Sequence, residues 1–271
     1  MYIGPCKIVK NVNLTSATNE NQLPQRIICD ELTVKYGNHT AINKLQCTFE
    51  SGSMTAIVGP NGGGKTTLLK SINSFIKPRS GRIILENIEK KQIAYMPQQT
   101  EIDRSFPLTV NDVVAMGLCH KKGFFKRISN QDEDRITGAL QSVGLEECRY
   151  RNLNELSGGQ FQRVLFARMS LQDSDVILLD EPFVAVDAPT MEVLSQLLLD
   201  WHKQGKTIVA VLHDFDIVRD YFPTTLILAR DLIAWGDTEC TLTRENLNQA
   251  KHLSLCWDVA GINLGKHTAN V

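Results

Sequence analysis

The sequence predicts an α/β protein with a largely parallel sheet covered on both faces and an all-helical insertion part-way along. Three observations predict it. Short apolar runs of strand length alternate with stretches of helical period. A Gly-rich turn joins an apolar strand to a helix at Gly59–Thr66. The block Pro97–Gln172 carries helical period throughout, with no strand-like run. Strands that alternate with helices pair in parallel, because each crossover helix returns the chain to the same end of the sheet.

Residues 1–26 are rich in Asn, Thr and Gln without a clear period and read as an N-terminal extension, loose at its start. Strand-like runs follow at Ile27–Tyr36, Leu45–Phe49 and Met54–Val58. The helix after the Gly-rich turn places Leu68, Leu69, Ile72, Phe75 and Ile76 on one face, and Pro78 and Gly81 close it. Strands at Arg82–Leu85 and Gln92–Met96 lead into the insertion. There Thr109 and Asp112 make a capping box, and Ile136, Ala139, Leu140 and Val143 recur at helical spacing before a capping Gly144. Lys121–Arg127, basic with two Phe, reads as a solvated loop. Beyond Ser174 the alternation resumes. Val176–Leu179 is a buried strand, and Leu194, Leu197, Leu198 and Trp201 line a helix that Gly205 ends. Strands at Thr207–Leu212, Thr225–Leu228 and Leu232–Trp235 follow.

Composition bounds the function. The 271 residues are 42% hydrophobic and 22% charged with a net charge of −1, which suits a soluble globular chain and not a nucleic-acid binder with its basic face. No apolar run approaches the roughly 18–20 residues a membrane helix needs. The polar segment Met1–Leu23 lacks the apolar core of a signal peptide, so none is expected. Seven dispersed cysteines with no C-x-x-C read as reduced thiols. His252, Cys256 and His267 read as a solvated tail in preference to a metal-sensing site.

Three motifs carry chemistry. Gly59-Pro60-Asn61-Gly62-Gly63-Gly64-Lys65-Thr66 fits G-x-x-x-x-G-K-[ST] between a strand and a helix. Such a loop turns backbone N–H groups toward phosphate oxygens at a positive helix end, Lys65 adds a point charge, and the Thr66 hydroxyl can ligate Mg²⁺. Thr67 follows at the same helix start. The second motif is Val176-Ile177-Leu178-Leu179-Asp180-Glu181, an apolar strand that ends in two acids. Its carboxyl end faces the ligand side of an open sheet, so Asp180 is placed to hold Mg²⁺ and Glu181 to take a proton from an attacking water. The third is Leu156-Ser157-Gly158-Gly159-Gln160 at the start of a helix carrying Val164, Leu165 and Met169. Ser157 caps it and the glycines expose N–H groups, a second anion-binding helix end about 90 residues beyond the first.

With these residues in view, the chain resembles the ATP-binding cassette (ABC) ATPases over roughly Ile27 to Gly236. Lys65 and Asp180 match the family's Walker motifs, and Leu156–Gln160 matches its LSGGQ signature in full. The resemblance implies a P-loop NTPase (RecA-like) core with an antiparallel β subdomain and a helical insertion. It implies a nucleotide-binding domain over 27–240, with the helical subdomain at about 98–171, and a C-terminal helix and tail over 241–271. It implies ATP and Mg²⁺ as ligands. Tyr36 is similar to the aromatic that stacks on adenine. Gln98 is similar to the glutamine that lies near Mg²⁺ and water. Asp187 is similar to the acid at the dimer interface, and His213 to the histidine that donates to the γ-phosphate. In such dimers, ATP at Lys65 of one copy is covered by Ser157, Gly158, Gly159 and Gln160 of a second.

The resemblance further implies an ATPase working at the cytoplasmic face of a membrane with integral permease subunits and an extracytoplasmic solute-binding protein. Phe106–Gly117, Gly123-Phe124-Phe125 and Glu181–Ala188 look most like importers of zinc, manganese or iron. The rival reading is a soluble cassette switch such as an iron–sulfur assembly subunit. A kinase with only the first loop is disfavoured because it leaves Leu156–Gln160 unexplained. Gly63 departs from the family's commoner Ala or Ser, and Val184 from a commoner small residue.

Overall fold

The structure, a computed structural model, describes residues 24–119 and 128–266. The readings that rest on residues 1–23, Lys121–Arg127, Gly123-Phe124-Phe125 and His267 lie outside the described residues. The strands are β1 Arg26–Tyr36, β2 His39–Glu50, β3 Met54–Val58, β4 Ser80–Glu86, β5 Ile93–Met96, β6 Val176–Asp180, β7 Thr207–Val211, β8 Thr224–Ala229 and β9 Asp231–Asp237. The α-helices are α1 Lys65–Ile72, α2 Val110–Ala115, α3 Asn130–Ser142, α4 Gly158–Gln172, α5 Ala188–Lys203, α6 Phe215–Tyr221, α7 Thr238–Thr241 and α8 Arg244–Lys266.

The strands form two sheets. Six run in the order β5-β6-β7-β3-β8-β9, every neighbour parallel except the edge pair β8–β9. Strands β3, β6 and β7 are buried at every position, as a parallel sheet covered on both faces requires. Their side chains divide by the two-residue period. Met54, Ala56, Ile177, Leu179, Ile208 and Ala210 pack on one face with α4, α5 and the helical block. Ile57, Leu178, Val209 and Val211 pack on the other with α1 and the second sheet. A fully buried leucine here contributes about 1.5–3 kcal/mol through water exclusion.

The second sheet is antiparallel, in the order β2-β1-β4. The two residues between β1 and β2, Gly37 and Asn38, allow only a hairpin. Pairing from Tyr36↔His39 to Arg26↔Glu50, with register shifts between Cys29 and Lys35, extends β2 well beyond the expected Leu45–Phe49. This three-stranded sheet is the antiparallel β subdomain that the resemblance implied.

Helix α1 is shorter than its apolar pattern suggests. Ser74 adopts a left-handed φ of 64°, and the Phe75 N–H turns back to the Lys70 carbonyl. Phe75 therefore leaves the buried face and is exposed, its ring edge-on to Tyr95. Helices α2, α3 and α4 each start with a capping box, built on Thr109/Asp112, Ser129/Asp132 and Ser157/Gln160. They bury Val110, Val114, Ile136, Leu140, Phe161 and Val164 against one another. Among the described residues no helix is long and apolar enough to cross a membrane.

Candidate functional site

Sheet order assembles the site. Strands β5, β6, β7 and β3 are adjacent and parallel, so the residues just past their carboxyl ends converge. Past β5 lies Gln98, at the end of β6 Asp180 and then Glu181, past β7 His213, and past β3 the loop Gly59–Gly64.

The loop is held by backbone. Gly59 has φ 147°, and a Cβ there would lie 2.0 Å from the Leu228 carbonyl oxygen. Gly64 has φ 93°, and its Cβ would meet the Ala41 carbonyl at 2.3 Å. Both positions require glycine, because an L side chain would be strained and would collide with main chain. Lys65 is buried, and its Nζ donates to the carbonyls of Gly59 and Pro60 at 2.9 Å each. Burial lowers the Lys65 ammonium from its ordinary value, opposed by the Glu181 and Asp180 carboxylates. The resulting depression, about 460 Å³, is lined by Tyr36, His39, Ala41, Asn61, Gly62, Gly63, Gly64, Lys65, Thr66, Thr67, Gln98 and Glu181. Tyr36, half exposed at the end of β1, places its hydroxyl 3.4 Å from Thr67 Oγ1.

The acids sit at one side of this depression. Thr66 Oγ1 donates to Asp180 Oδ1 at 3.1 Å. Gln98 Nε2 reaches Thr66 Oγ1 at 3.3 Å, Asp180 Oδ1 at 3.4 Å and Glu181 Oε1 at 3.0 Å. Burial raises the Asp180 carboxyl, opposed by the hydrogen bonds from Thr66 and Gln98, while Glu181 and Glu101 push it further up. A buried carboxylate beside a hydroxyl oxygen is a hard-donor pair suited to a small divalent cation. Glu181 leaves the strand in a left-handed conformation, φ 54°, which costs about 1–3 kcal/mol for a non-glycine residue. The turn is held because the Glu181 N–H bonds the Val211 carbonyl at 3.1 Å. It aims the carboxylate toward His213, whose Nε2 lies 2.8 Å from Glu181 Oε1. One carboxylate, one imidazole and one amide thus meet at one side of the depression, a set able to orient a water and take its proton.

The remaining predicted residues lie apart from this depression. Ser157 caps α4: its Oγ accepts from the Gln160 N–H at 3.2 Å, and Gln160 Oε1 accepts from the Ser157 N–H at 3.0 Å. Gly158 and Gly159 pack beside Ala185 and Thr190. Asp187 caps α5 by accepting from the Thr190 N–H at 3.1 Å, and these bonds hold its carboxyl below the usual range. None of Ser157, Gly158, Gly159, Gln160 or Asp187 lines the depression at Lys65.

Sequence reasoning missed the link between the two regions. Gln99, next to Gln98, donates to the Gly158 carbonyl at 3.3 Å and to Gln162 Oε1 at 2.6 Å. Arg104 donates to the carbonyls of Leu153 and Leu156 and lies 4.7 Å over the Phe161 ring. The segment from Gln98 to Arg104 thereby touches the acids at one end and the signature loop at the other. Tyr95 was also missed. Its hydroxyl donates to Asp180 Oδ2 at 3.4 Å, and burial together with the Asp180 charge keeps the phenol protonated. A polar residue at the end of a β5-like strand was the available signal for Tyr95; for Gln99 and Arg104 there was none.

The ABC transporter family model matches residues 42–184, from within β2 to just past Glu181. The chain belongs to the ABC transporter ATPases. Among its relatives is a manganese transport system ATP-binding protein of Synechocystis, 40% identical over 82% of this chain and 88% of that protein. Another, from Halalkalibacterium halodurans, is 41% identical over 80% of this chain and 88% of its own. Of the solved structures, an inward-facing metal-chelate type ABC transporter superposes with a TM-score of 0.74 at 29% identity, covering 84% of this chain and 89% of that one. A dimeric cassette in a post-hydrolysis state with ADP and Pi gives a TM-score of 0.70 at 27% identity, covering 78% and 98%. The cassette is therefore an ATPase coupled to transport, of a kind that forms dimers and belongs to complexes with membrane components.

Proposed function

We propose that this cassette is the ATPase of a bacterial importer of transition-metal ions, manganese first among zinc, manganese and iron. The observation that carries the reading is the run of relatives named as manganese transport ATP-binding proteins, at 38–41% identity over four-fifths of the chain. The same relatives favour transport over a soluble iron–sulfur assembly switch. Among the described residues no three His, Cys, Asp or Glu side chains are grouped to hold a metal ion. This reading accordingly assigns cargo choice to permease subunits in the membrane and to an extracytoplasmic solute-binding protein. The cassette works at the cytoplasmic face.

In this reading the depression at Lys65 takes ATP. Tyr36 stacks on adenine, backbone N–H groups from Gly59 to Thr67 receive the phosphates, and Lys65 exchanges its two carbonyl partners for phosphate oxygens. Thr66, Asp180 and Gln98 would hold Mg²⁺, which when bound would neutralise phosphate charge. Glu181 takes the proton of the attacking water, Gln98 orients that water, and His213 donates to a γ-phosphate oxygen. Ser157, Gly158, Gly159 and Gln160 of a second copy cover the nucleotide, with Asp187 at the seam between copies. A γ-phosphate contact made only in the closed dimer ties the dimer's equilibrium to hydrolysis.

The cargo test is reconstitution of the cassette with its co-purified membrane subunits in proteoliposomes, with uptake of labelled ions. ATP-dependent manganese uptake supports the reading. Uptake of zinc or iron alone moves the cargo within the class. Recovery of the cassette with soluble partners only, and no uptake, would sink the importer.

A further inference from the structure

The phosphate loop has an outer wall built by residues that no motif contains. The Arg230 N–H donates to the Gly63 carbonyl at 2.8 Å, and the Arg230 carbonyl accepts from the Asn43 N–H at 2.7 Å. Arg230 is the single residue between β8 and β9. It is 5% exposed and sits at a left-handed φ of 63°. A non-glycine residue stays there only when its surroundings hold it. Two neighbours do so. Asp231 Oδ1 accepts from Asn43 Nδ2 at 2.8 Å, and Asp231 Oδ2 accepts from Trp257 Nε1 at 3.0 Å. The Arg230 guanidinium lies 5.6 Å from the centre of the Trp257 ring. Trp257 belongs to α8, far in sequence from the loop it reaches through one residue.

We infer that Trp257 of the C-terminal helix is a positioning residue for the nucleotide: it holds the Arg230–Asp231 turn, which latches the phosphate loop at Gly63. The inference rests on the reading that the Gly59–Thr67 loop receives phosphates. Gly63 is where the latch must act, because a Cβ there would already meet the Leu228 carbonyl at 2.7 Å. The loop has no slack on the side that the β8–β9 turn occupies. Coupling is reciprocal, so whatever α8 docking adds to nucleotide affinity, the nucleotide adds to α8 docking.

The test uses the full chain and ADP, which reads the loop of one copy. Trp257→Ala is expected to raise the ADP Kd about fivefold or more, within the range of ordinary coupling between sites. Trp257→Phe, which keeps a ring over Arg230, is expected to fall between. Asp231→Ala should weaken binding similarly, with the double variant no worse than either single one, because both remove one latch. A second measurement covers the case in which these variants do not fold. In a Trp201→Phe/Trp235→Phe chain, Trp257 is the sole tryptophan, and its emission should change on ADP saturation. A folded Trp257→Ala chain with parent ADP affinity, or an emission unmoved by ADP, overturns the latch. Lys65→Ala separates the two failures. Binding lost there but kept in Trp257→Ala overturns the latch alone, whereas binding kept in both overturns the phosphate-loop reading and the latch with it.

Discussion

The molecule contains two helix N-termini of similar construction and opposite circumstance. Helix α1 begins inside a depression, with Thr66 hydrogen-bonded to Asp180 at the end of β6 and its lysine folded onto its own loop. Helix α4 begins at Ser157 with a complete capping box, yet no acid, base or lysine of the described site shares its space. Both ends are positive and both expose N–H groups. The difference lies in the sheet. Helix α1 follows a central parallel strand, so neighbouring strand ends deliver Asp180, Glu181 and His213 to it. Helix α4 lies within the helical insertion, and its first residues do not line the depression. One end is a site within one chain; in the function proposed above, the other is half of a site that a second chain completes.

The comparison can be broken by substitutions, the largest effect first. Glu181→Gln should reduce steady-state ATP hydrolysis about 100- to 10,000-fold while ATP still binds, the span expected for loss of a positioned base. Parent-rate phosphate release from that variant would remove Glu181 from the role. Lys65→Ala should weaken ATP binding by roughly 10- to 100-fold, matching the loss of charged hydrogen bonds worth about 1.5–3 kcal/mol. Titration calorimetry on the isolated chain decides this. Ser157→Ala should leave ADP affinity of the single chain unchanged, while ATP-driven dimer formation in size-exclusion chromatography falls; its lost cap costs about 0.5–2 kcal/mol. Weakened ADP binding by the monomer would put Ser157 on the wrong side of the division.

Gly63→Ala sharpens the same contrast at a single methyl. A Cβ there would lie 2.7 Å from the Leu228 carbonyl and 2.9 Å from that of Pro60. The expected outcome is destabilisation of about 1–3 kcal/mol in urea unfolding. A neutral result would mean that the loop shifts freely against β8. The smallest effect concerns Asp180. Its carboxyl is raised above its unfolded value, first by burial. The folded chain then holds its proton to higher pH than the unfolded chain does. Its contribution to stability is fully present below the ordinary value of 3.8 and is lost as pH rises through the raised one. Asp180→Asn should therefore melt higher than the parent at neutral pH without nucleotide, and the gap should narrow on acidification. A gap that widened in acid would reverse the sign of the argument.

Much of this was legible because it is local. A glycine run between a strand and a helix, an apolar strand closed by two acids, and a serine before two glycines are each confined to a few residues. Their physical meaning depends only on backbone conformation and helix polarity. Phe75 marks where locality misleads, since it keeps the helical spacing of Leu68 and Ile72 but follows the left-handed Ser74 out of the core. Gln99, Arg104 and Trp257 were invisible because their partners are far away in sequence. A lone polar or aromatic side chain carries no period that names the atom it will meet.

By itself the sequence determined the fold class, the P-loop, the acid pair and the signature, because hydrophobic period and turn chemistry act over a few residues. The resemblance already implied an antiparallel β subdomain; tertiary structure decided its strand order, β2-β1-β4, and its register. It alone decided that Gln98, Asp180, Glu181 and His213 converge at adjacent strand ends, and that Trp257 stands behind the phosphate loop. Those relations come from strand order and from the docking of distant elements, and pairing between distant segments is set by the packing of the whole chain.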